Sequence, residues 1–248
     1  MKHALLVVPD GSDDMEMAPF VEIPGWTKVV PGLEPINVTV AGWNDPIQMF
    51  HGLRIRPDVS VHDVDLDEYD ALFLPGGWPG TPYFEQAQSP ASLDIIRRAH
   101  ASGKLIATMC TGIFPVGQAG LLHGVKATSF AGECCEFCRQ AKQKLIAYGA
   151  DFLEQAVVVD ANIISDIGPA VGDEVALRAV EWLIGEEAVR RIVTEMMYTT
   201  IRPQHLKWTY PSTRDALAEA AATATPATLA ASLAPIEACG CSGAAVVR

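Results

Sequence analysis

Cys110 is the residue in this sequence whose type and position best suit it to act as a nucleophile. It follows the apolar run 105–109 and precedes Thr111 and Gly112, small residues suited to a tight turn that opens a helix. A cysteine at such a junction has the geometry of a nucleophile elbow, which exposes the side chain above a sheet. Because a helix N-terminus stabilises a thiolate, we expect an exposed thiol with a lowered pKa. The same pattern also fits a buried cysteine that packs as a small apolar side chain.

Two other segments carry groups that a cysteine nucleophile needs. The run 69–74 ends in Pro75-Gly76-Gly77, and glycine lets a backbone N–H approach a reacting oxygen, as an oxyanion hole requires. Glu16 lies just after the first apolar run, 3–8, where its carboxyl group can hydrogen-bond a cysteine sulfur. Each segment also has a plain structural interpretation, since paired glycines suit turns and acidic residues suit the first turn of a helix.

Short apolar runs alternate with helix signals along the chain. Strands are predicted at 3–8, 36–41, 71–74, 105–109 and 157–159. Helices are predicted from the Ser89 cap to before Gly103, and at 137–148, 175–184 and 186–197. This alternation indicates an α/β fold with a doubly wound, mainly parallel sheet and helices on both faces, as in flavodoxin-like proteins. Ligands of such sheets bind beyond the carboxyl ends of the strands, which is where the three segments above lie.

Composition limits the classes of partner. With 248 residues and 49% hydrophobic content, the chain can bury a sizeable core. The net charge of −12 gives no attraction to nucleic acid or to an anionic membrane, so small molecules or proteins are the expected partners. Neither a signal peptide nor a membrane-spanning run is visible, and six irregularly spaced cysteines then indicate thiol or metal chemistry in the cytoplasm.

The chain divides into two unequal parts. Residues 1–210 have the pattern of one α/β domain, whereas 211–248 form an Ala/Thr/Pro-rich tail that ends in Cys239-Gly240-Cys241.

The order of the motifs resembles the ThiJ/PfpI superfamily, which includes the parkinsonism-associated deglycase and chaperone. The resemblance covers about residues 3–200 and rests on these segments: Asp13-Asp14-Met15-Glu16, the run 69–77, the run 106–112, Gly120-Leu121-Leu122, the run 126–129 and the run 160–165 followed by Gly168-Pro169. It implies a class I glutamine amidotransferase-like fold and a homodimer. It also implies a Cys110 nucleophile, Glu16 as its carboxyl partner and backbone donors at Gly77 and Thr111, with no organic cofactor.

Two positions depart from the family pattern. Phe130 stands where many members have a histidine, which weakens any mechanism that needs a Cys-His pair. His123, a few residues upstream, is a candidate auxiliary group in its place. The family's Ser-Arg-Gly-Pro segment is altered to Ser165-Asp166-Ile167-Gly168-Pro169, which lacks the cationic anchor.

A cysteine cluster, Cys134-Cys135-Glu136-Phe137-Cys138, follows Phe130. Its CxxC spacing suits a soft metal ion such as zinc, copper(I) or arsenite, with Cys134, Cys135 and Cys138 as ligands that Cys239 and Cys241 could complete. The same thiols could instead resolve an oxidised Cys110 as a disulfide. The alternative is a helix that turns its cysteines into the core or towards a subunit partner.

The preferred function is a cysteine-dependent enzyme for a small electrophile of the 2-oxoaldehyde class, similar to glyoxalases and deglycases. In it the Cys110 thiolate attacks, Glu16 carries the proton and Gly77 stabilises the oxyanion. Three alternatives stay open: an isonitrile hydratase-like lyase, an oxidation-sensing thiol protein or chaperone, and a thiol-based metal or metalloid binder.

Overall fold

The computed structural model of the chain describes residues 1–130, 132 and 135–198. The predicted tail, with Cys239 and Cys241, and also Cys134, lie outside the described residues.

Eleven strands and seven α-helices occupy the described part of the chain. The strands are β1 Lys2–Val8, β2 Ile36–Gly42, β3 Ile47–Gln48, β4 Arg54–Ile55, β5 Val59–Ser60, β6 Ala71–Leu74, β7 Leu105–Thr108, β8 Lys126–Ala127, β9 Asp151–Phe152, β10 Val157–Asp160 and β11 Ile163–Asp166. The helices are α1 Asp14–Gly25, α2 Tyr83–Ala87, α3 Pro90–Ala101, α4 Ile113–Gln118, α5 Glu136–Ala147, α6 Gly172–Ile184 and α7 Glu186–Glu195.

Seven of these strands form the central sheet, in the order β10-β11-β7-β6-β1-β2-β5. Every neighbouring pair is parallel except β10 with β11. The chain winds outward in both directions from β1 and β6, which confirms the predicted doubly wound α/β fold.

Successive residues of a strand pack on opposite faces of the sheet. Leu5 of β1 belongs to a core cluster with α3, α4 and α5, whereas the next residue, Leu6, packs with α1, α6 and α7. Because both faces are covered, the central strands need apolar residues at every position, and this explains their continuous apolar runs. The runs predicted from sequence therefore coincide with β1, β2, β6, β7 and β10.

Local signals fixed the helix ends. Ser89 caps α3, with its Oγ accepting the N–H of Ser92 at 3.3 Å, as predicted. Gly149, at φ +86°, follows the end of α5 in the left-handed conformation that glycine adopts without strain.

Strand β11 was not predicted, although it is central to the site. A turn at Ala161, with φ +51°, reverses the chain after β10 and leads into β11. The polar residues Asp160 and Asn162 flank that turn and interrupt the apolar pattern, so the sequence does not indicate a second strand after β10. Strand β11 then pairs with β7, and its last residue, Asp166, lies at the carboxyl edge of the sheet.

None of the helices in the described ranges is both long and apolar enough to cross a lipid bilayer.

Candidate active site

The carboxyl ends of four neighbouring strands meet at Cys110. Strand β7 leads into Cys110, and β6, its partner on one side, leads into Gly76 and Gly77. Strand β1 precedes the loop and helix that carry Glu16, and β11, the partner of β7 on the other side, ends in Asp166. The topology thus collects one thiol, two carboxyl groups and a pair of glycines.

The backbone of Cys110 is held in an unusual conformation by two side chains. Its φ of +53° is left-handed, which costs a residue with a Cβ about 1–2 kcal/mol. The N–H of Cys110 donates to Asp166 Oδ1 at 2.6 Å, and its C=O accepts from Ser129 Oγ at 2.9 Å. These two hydrogen bonds stabilise the turn that aims the sulfur.

Glu16 lies on the first turn of α1 and is only 1% exposed. Its Oε2 accepts the N–H of Gly76 at 2.7 Å, and its carboxyl group also hydrogen-bonds the Cys110 thiol. A Cβ on Gly76 would lie 2.3 Å from that same oxygen, so only glycine fits there. The structure therefore brings Glu16 and Cys110 together at the cavity.

Thr111 and Gly77 interact with each other as well as with the site. The N–H of Gly77 donates to Thr111 Oγ1 at 2.8 Å, and the same hydroxyl lies 2.9 Å from the Gly77 carbonyl, to which it donates. The backbone N–H of Thr111 donates to the Cys110 sulfur. Of the two predicted oxyanion donors, one therefore lies at the sulfur and the other is paired with a neighbouring hydroxyl.

The expectation of an exposed Cys110 with a lowered pKa is wrong. The residue is 7% exposed, and burial raises the pKa of its thiol well above the ordinary value. The negative charges of Glu16 and Asp166 raise the thiol pKa further, and the N–H of Thr111 only partly opposes them.

Asp166 is a second buried carboxyl group. In the sequence, this position showed only that the segment 165–169 lacks the cationic anchor of the family pattern. Burial raises its pKa to about 7, although the N–H groups of Cys110 and Gly168 favour the charged form. Its Oδ2 is buried and has no hydrogen-bond partner among the described residues. Burial also raises the pKa of Glu16, and the nearby charges of Asp166 and Asp13 add to that rise. Burial thus favours the protonated form of both carboxyl groups.

A small cavity of about 40 Å³ opens beside the thiol. Its lining consists of Asp13, Glu16, Gly77, Trp78, Pro79, Cys110, Thr111, Phe130, Phe137, Cys138 and Pro169. Phe130, the position at which the resemblance led us to expect a histidine, thus lies in the cavity wall. This lining, taken from the part of the chain that the structure describes, contains carboxyl, thiol and apolar groups but no histidine, lysine or arginine.

The predicted auxiliary histidine lies elsewhere. His123 is exposed, packs beside Gly149 and does not line the cavity. Another histidine, His51, lies nearer, with Nε2 3.4 Å from Oδ2 of the cavity residue Asp13. His51 is half-exposed, and its isolated position in the sequence gave no signal of this contact.

The described cysteines of the cluster form a close pair. The sulfurs of Cys135 and Cys138 are 2.9 Å apart, both residues are buried, and Cys138 lines the cavity. Within the described ranges no group of three or more His, Cys, Asp or Glu side chains is arranged to hold a metal ion. Since Cys134 lies outside those ranges, the predicted three-cysteine metal site stays a prediction.

Comparison with known proteins shows the family. The sequence profile described as the DJ-1/PfpI family matches residues 2–182. The chain belongs to the DJ-1/PfpI family. The glutathione-independent glyoxalase DJR-1.2 of Caenorhabditis elegans is 30% identical, over 77% of this chain and 94% of the relative. An isonitrile hydratase of Pseudomonas putida is 27% identical, over 75% of each protein.

A solved structure agrees with this assignment. The crystal structure of Drosophila melanogaster DJ-1beta superposes with a TM-score of 0.67 at 26% identity, and it covers 79% of this chain and 97% of the other. The family membership and the flavodoxin-like fold expected from the sequence are both confirmed.

Proposed function

We propose that this member of the DJ-1/PfpI family is a cysteine-dependent enzyme that converts a small, uncharged 2-oxoaldehyde into a 2-hydroxy acid. The observation that carries the proposal is the hydrogen bond between the buried Glu16 carboxyl group and the Cys110 thiol, in a cavity whose described lining has no histidine. A carboxyl group with a raised pKa can both accept and donate a proton near neutral pH, which is what a single acid–base residue needs.

The chemistry begins with the sulfur of Cys110. As its proton moves to Glu16, the sulfur adds to the aldehyde carbon, and Glu16 returns the proton to the oxygen of the resulting hemithioacetal. The N–H of Thr111, and that of Gly77 once the Thr111 hydroxyl turns away, stabilise the negative charge on that oxygen.

The second half of the reaction moves hydrogen between two carbons. Glu16 takes the proton from the former aldehyde carbon and delivers it to the neighbouring carbonyl carbon. It likewise carries the hydroxyl proton of the hemithioacetal to the oxygen of that neighbouring carbon, so that a thioester of the 2-hydroxy acid remains on Cys110. Water then hydrolyses the thioester and frees the thiol. One carboxyl group thus performs every proton transfer, and no organic cofactor takes part.

The walls of the cavity favour this class of substrate. Its volume of about 40 Å³ admits only a small molecule, and its apolar side chains suit an uncharged one. The buried carboxyl groups Glu16 and Asp166 oppose an anion. The relative named as a glutathione-independent glyoxalase supports the same class.

A second candidate is hydration of an isonitrile. An isonitrile is also small and uncharged, and a relative of similar coverage is named an isonitrile hydratase. The two candidates differ in the attacked carbon, which is a carbonyl carbon in one and a terminal isonitrile carbon in the other.

The test measures consumption of methylglyoxal and of an alkyl isonitrile by the full-length chain. Cys110→Ser should abolish turnover of the true substrate, and Glu16→Gln should lower kcat by about 10²–10⁴-fold because the proton carrier is lost. His123→Ala is the matched control, since this exposed side chain lies away from the cavity, and its rate should stay within about twofold of the wild type. If folded His123→Ala were as inactive as Cys110→Ser, the mechanism without histidine would be wrong.

Cytoplasmic location and homodimeric assembly remain part of the proposal. They are supported by the cysteine content and by the family resemblance, respectively. Light scattering coupled to size exclusion tests the dimer.

A further inference from the structure

The Cys135–Cys138 pair has no part in the proposed reaction, yet one of its members, Cys138, lines the reactive cysteine's cavity. Cys110 and Cys138 are both lining residues of the same small cavity. The Cys135 sulfur lies 2.9 Å from that of Cys138 and accepts the N–H of Cys138 at 3.4 Å. One cavity residue, Cys138, therefore connects the Cys110 cavity with the thiol of Cys135 at the start of α5.

Burial restricts what these thiols can react with. Cys135 and Cys138 are 6% and 2% exposed, and the cavity is too small for a protein-sized thiol to reach Cys110 directly. An oxidised Cys110 would consequently meet Cys138 before it met a bulky external reductant.

We propose that Cys138 and Cys135 form a relay that removes an oxidising equivalent from Cys110, so that the chain reduces small hydroperoxides. This activity goes beyond the proposed 2-oxoaldehyde reaction and does not depend on it, although both use the Cys110 sulfur.

The first step consumes the hydroperoxide. The Cys110 sulfur attacks the terminal oxygen, the O–O bond breaks, and the products are Cys110 sulfenic acid and an alcohol. Sulfur loses two electrons and the peroxide gains them. The thiol proton, carried by Glu16, ends on the alcohol oxygen.

The next two steps move the oxidation outward. Cys138 attacks the sulfenic sulfur, an S–S bond forms between Cys110 and Cys138, and the sulfenic oxygen leaves as water with the Cys138 proton. Cys135 then attacks the Cys138 sulfur, which forms the Cys135–Cys138 disulfide and returns its proton to Cys110 through Glu16. A small-molecule dithiol such as dithiothreitol, which unlike a bulky thiol is compatible with this burial, closes the cycle by reducing that disulfide and becoming a disulfide itself.

The geometry gives the relay its direction. Cys135 already lies at the N-cap of α5 with its sulfur against Cys138, so the final disulfide forms within one helical turn. The oxidising equivalent thereby ends on the CxxC pair, and Cys110 becomes available again.

The experiment treats the reduced full-length chain with limiting hydrogen peroxide, followed by alkylation and peptide mapping. In the wild type we expect the Cys135–Cys138 disulfide with an alkylatable Cys110. In Cys135→Ser we expect the relay to stop at the Cys110–Cys138 disulfide. In Cys138→Ser we expect neither disulfide, and Cys110 should accumulate as sulfenic acid, trapped by dimedone, and then as sulfinic acid. Ser102→Ala, a change of an exposed side chain away from the three cysteines, is the control, and its products should equal those of the wild type.

Two results would overturn the relay. One is equal accumulation of Cys110 sulfinic acid in the wild type and in Cys138→Ser. The other is a wild-type product in which Cys110 is oxidised while Cys135 and Cys138 stay reduced, and this readout needs no substitution and so survives any folding defect of a variant. Because peptide mapping follows sulfur chemistry alone, neither result bears on whether 2-oxoaldehydes are substrates.

Discussion

Replacing Asp166 by asparagine should remove a pH dependence of stability that the buried carboxyl group creates. The Asp166 pKa rises from an ordinary 3.8 to about 7, so between these values the folded chain holds a proton that the unfolded chain has released. The unfolded state then binds fewer protons, and the free energy of unfolding must fall as pH rises through this window. A rise of this size corresponds to a loss of about 4 kcal/mol that is complete above about pH 7.

Asparagine keeps an oxygen that accepts the N–H groups of Cys110 and Gly168, but it does not ionise. Urea unfolding of both proteins between about pH 4 and about pH 8 should therefore show Asp166→Asn gaining about 4 kcal/mol relative to the wild type as pH rises. Exposed Asp67→Asn is the matched control and should follow the wild type. Glu16 also titrates in this site, and because the Asp166 charge raises the Glu16 pKa, the substitution reduces that rise as well, which adds to the difference in the same direction.

The same substitution should change the reactivity of the thiol. Because the Asp166 charge raises the Cys110 pKa, its removal should move the midpoint of alkylation by iodoacetamide to lower pH. Parallel stability profiles for the wild type and Asp166→Asn, together with an unchanged alkylation midpoint, would refute the assignment of a buried, titrating carboxyl group at the nucleophile.

Three further predictions concern the thiols and the glycine turn. Limiting iodoacetamide at neutral pH should label Cys110 ahead of Cys135 and Cys138, because Cys110 lines the cavity with Glu16 beside it to take up the thiol proton, and peptide mapping would show this; preferential labelling of Cys135 or Cys138 would contradict its role as nucleophile. Gly76→Ala should destabilise the fold by about 1–3 kcal/mol in urea unfolding, since its Cβ would lie 2.3 Å from the Glu16 carboxylate, whereas Gly25→Ala, where a Cβ meets nothing within 4 Å, should be tolerated; equal losses would disprove the steric reason. If the cysteine cluster binds a soft metal, protein purified without chelator should carry it in stoichiometric amount and a Cys135→Ser/Cys138→Ser variant should not; equal, substoichiometric metal in both would end that hypothesis.

The strands were predictable because a doubly wound sheet buries both faces of its central strands. An uninterrupted apolar run such as 71–74 then has few other interpretations, and the residues directly after it lie at the functional edge. The order of the motifs along the chain also led us to expect Glu16 beside Cys110, which the residues around either position do not indicate by themselves.

The electrostatics of the site were not predictable from the same residues. Whether a thiol beside a helix start has a lowered or a raised pKa depends on how deeply the turn is buried and on which charges face it. At Cys110 burial and two carboxyl groups outweigh the backbone donor. The contact of Asp166 with Cys110 was not predicted because it spans 56 positions and depends on the hairpin of β10 and β11, which the sequence did not indicate.

The described cavity lining contains carboxyl groups and no cationic side chain. This charge distribution should affect how readily the product of the proposed reaction is released. In the proposed reaction a 2-oxoaldehyde enters as a neutral molecule, whereas the 2-hydroxy acid formed from it ionises at neutral pH and becomes an anion. An ionised carboxyl group about 4 Å from that anion would repel it by up to about 4 kcal/mol near a protein surface. The proposed reaction would therefore create the charge that expels its own product, and accumulated 2-hydroxy acid should inhibit it far less than an uncharged molecule of the same shape.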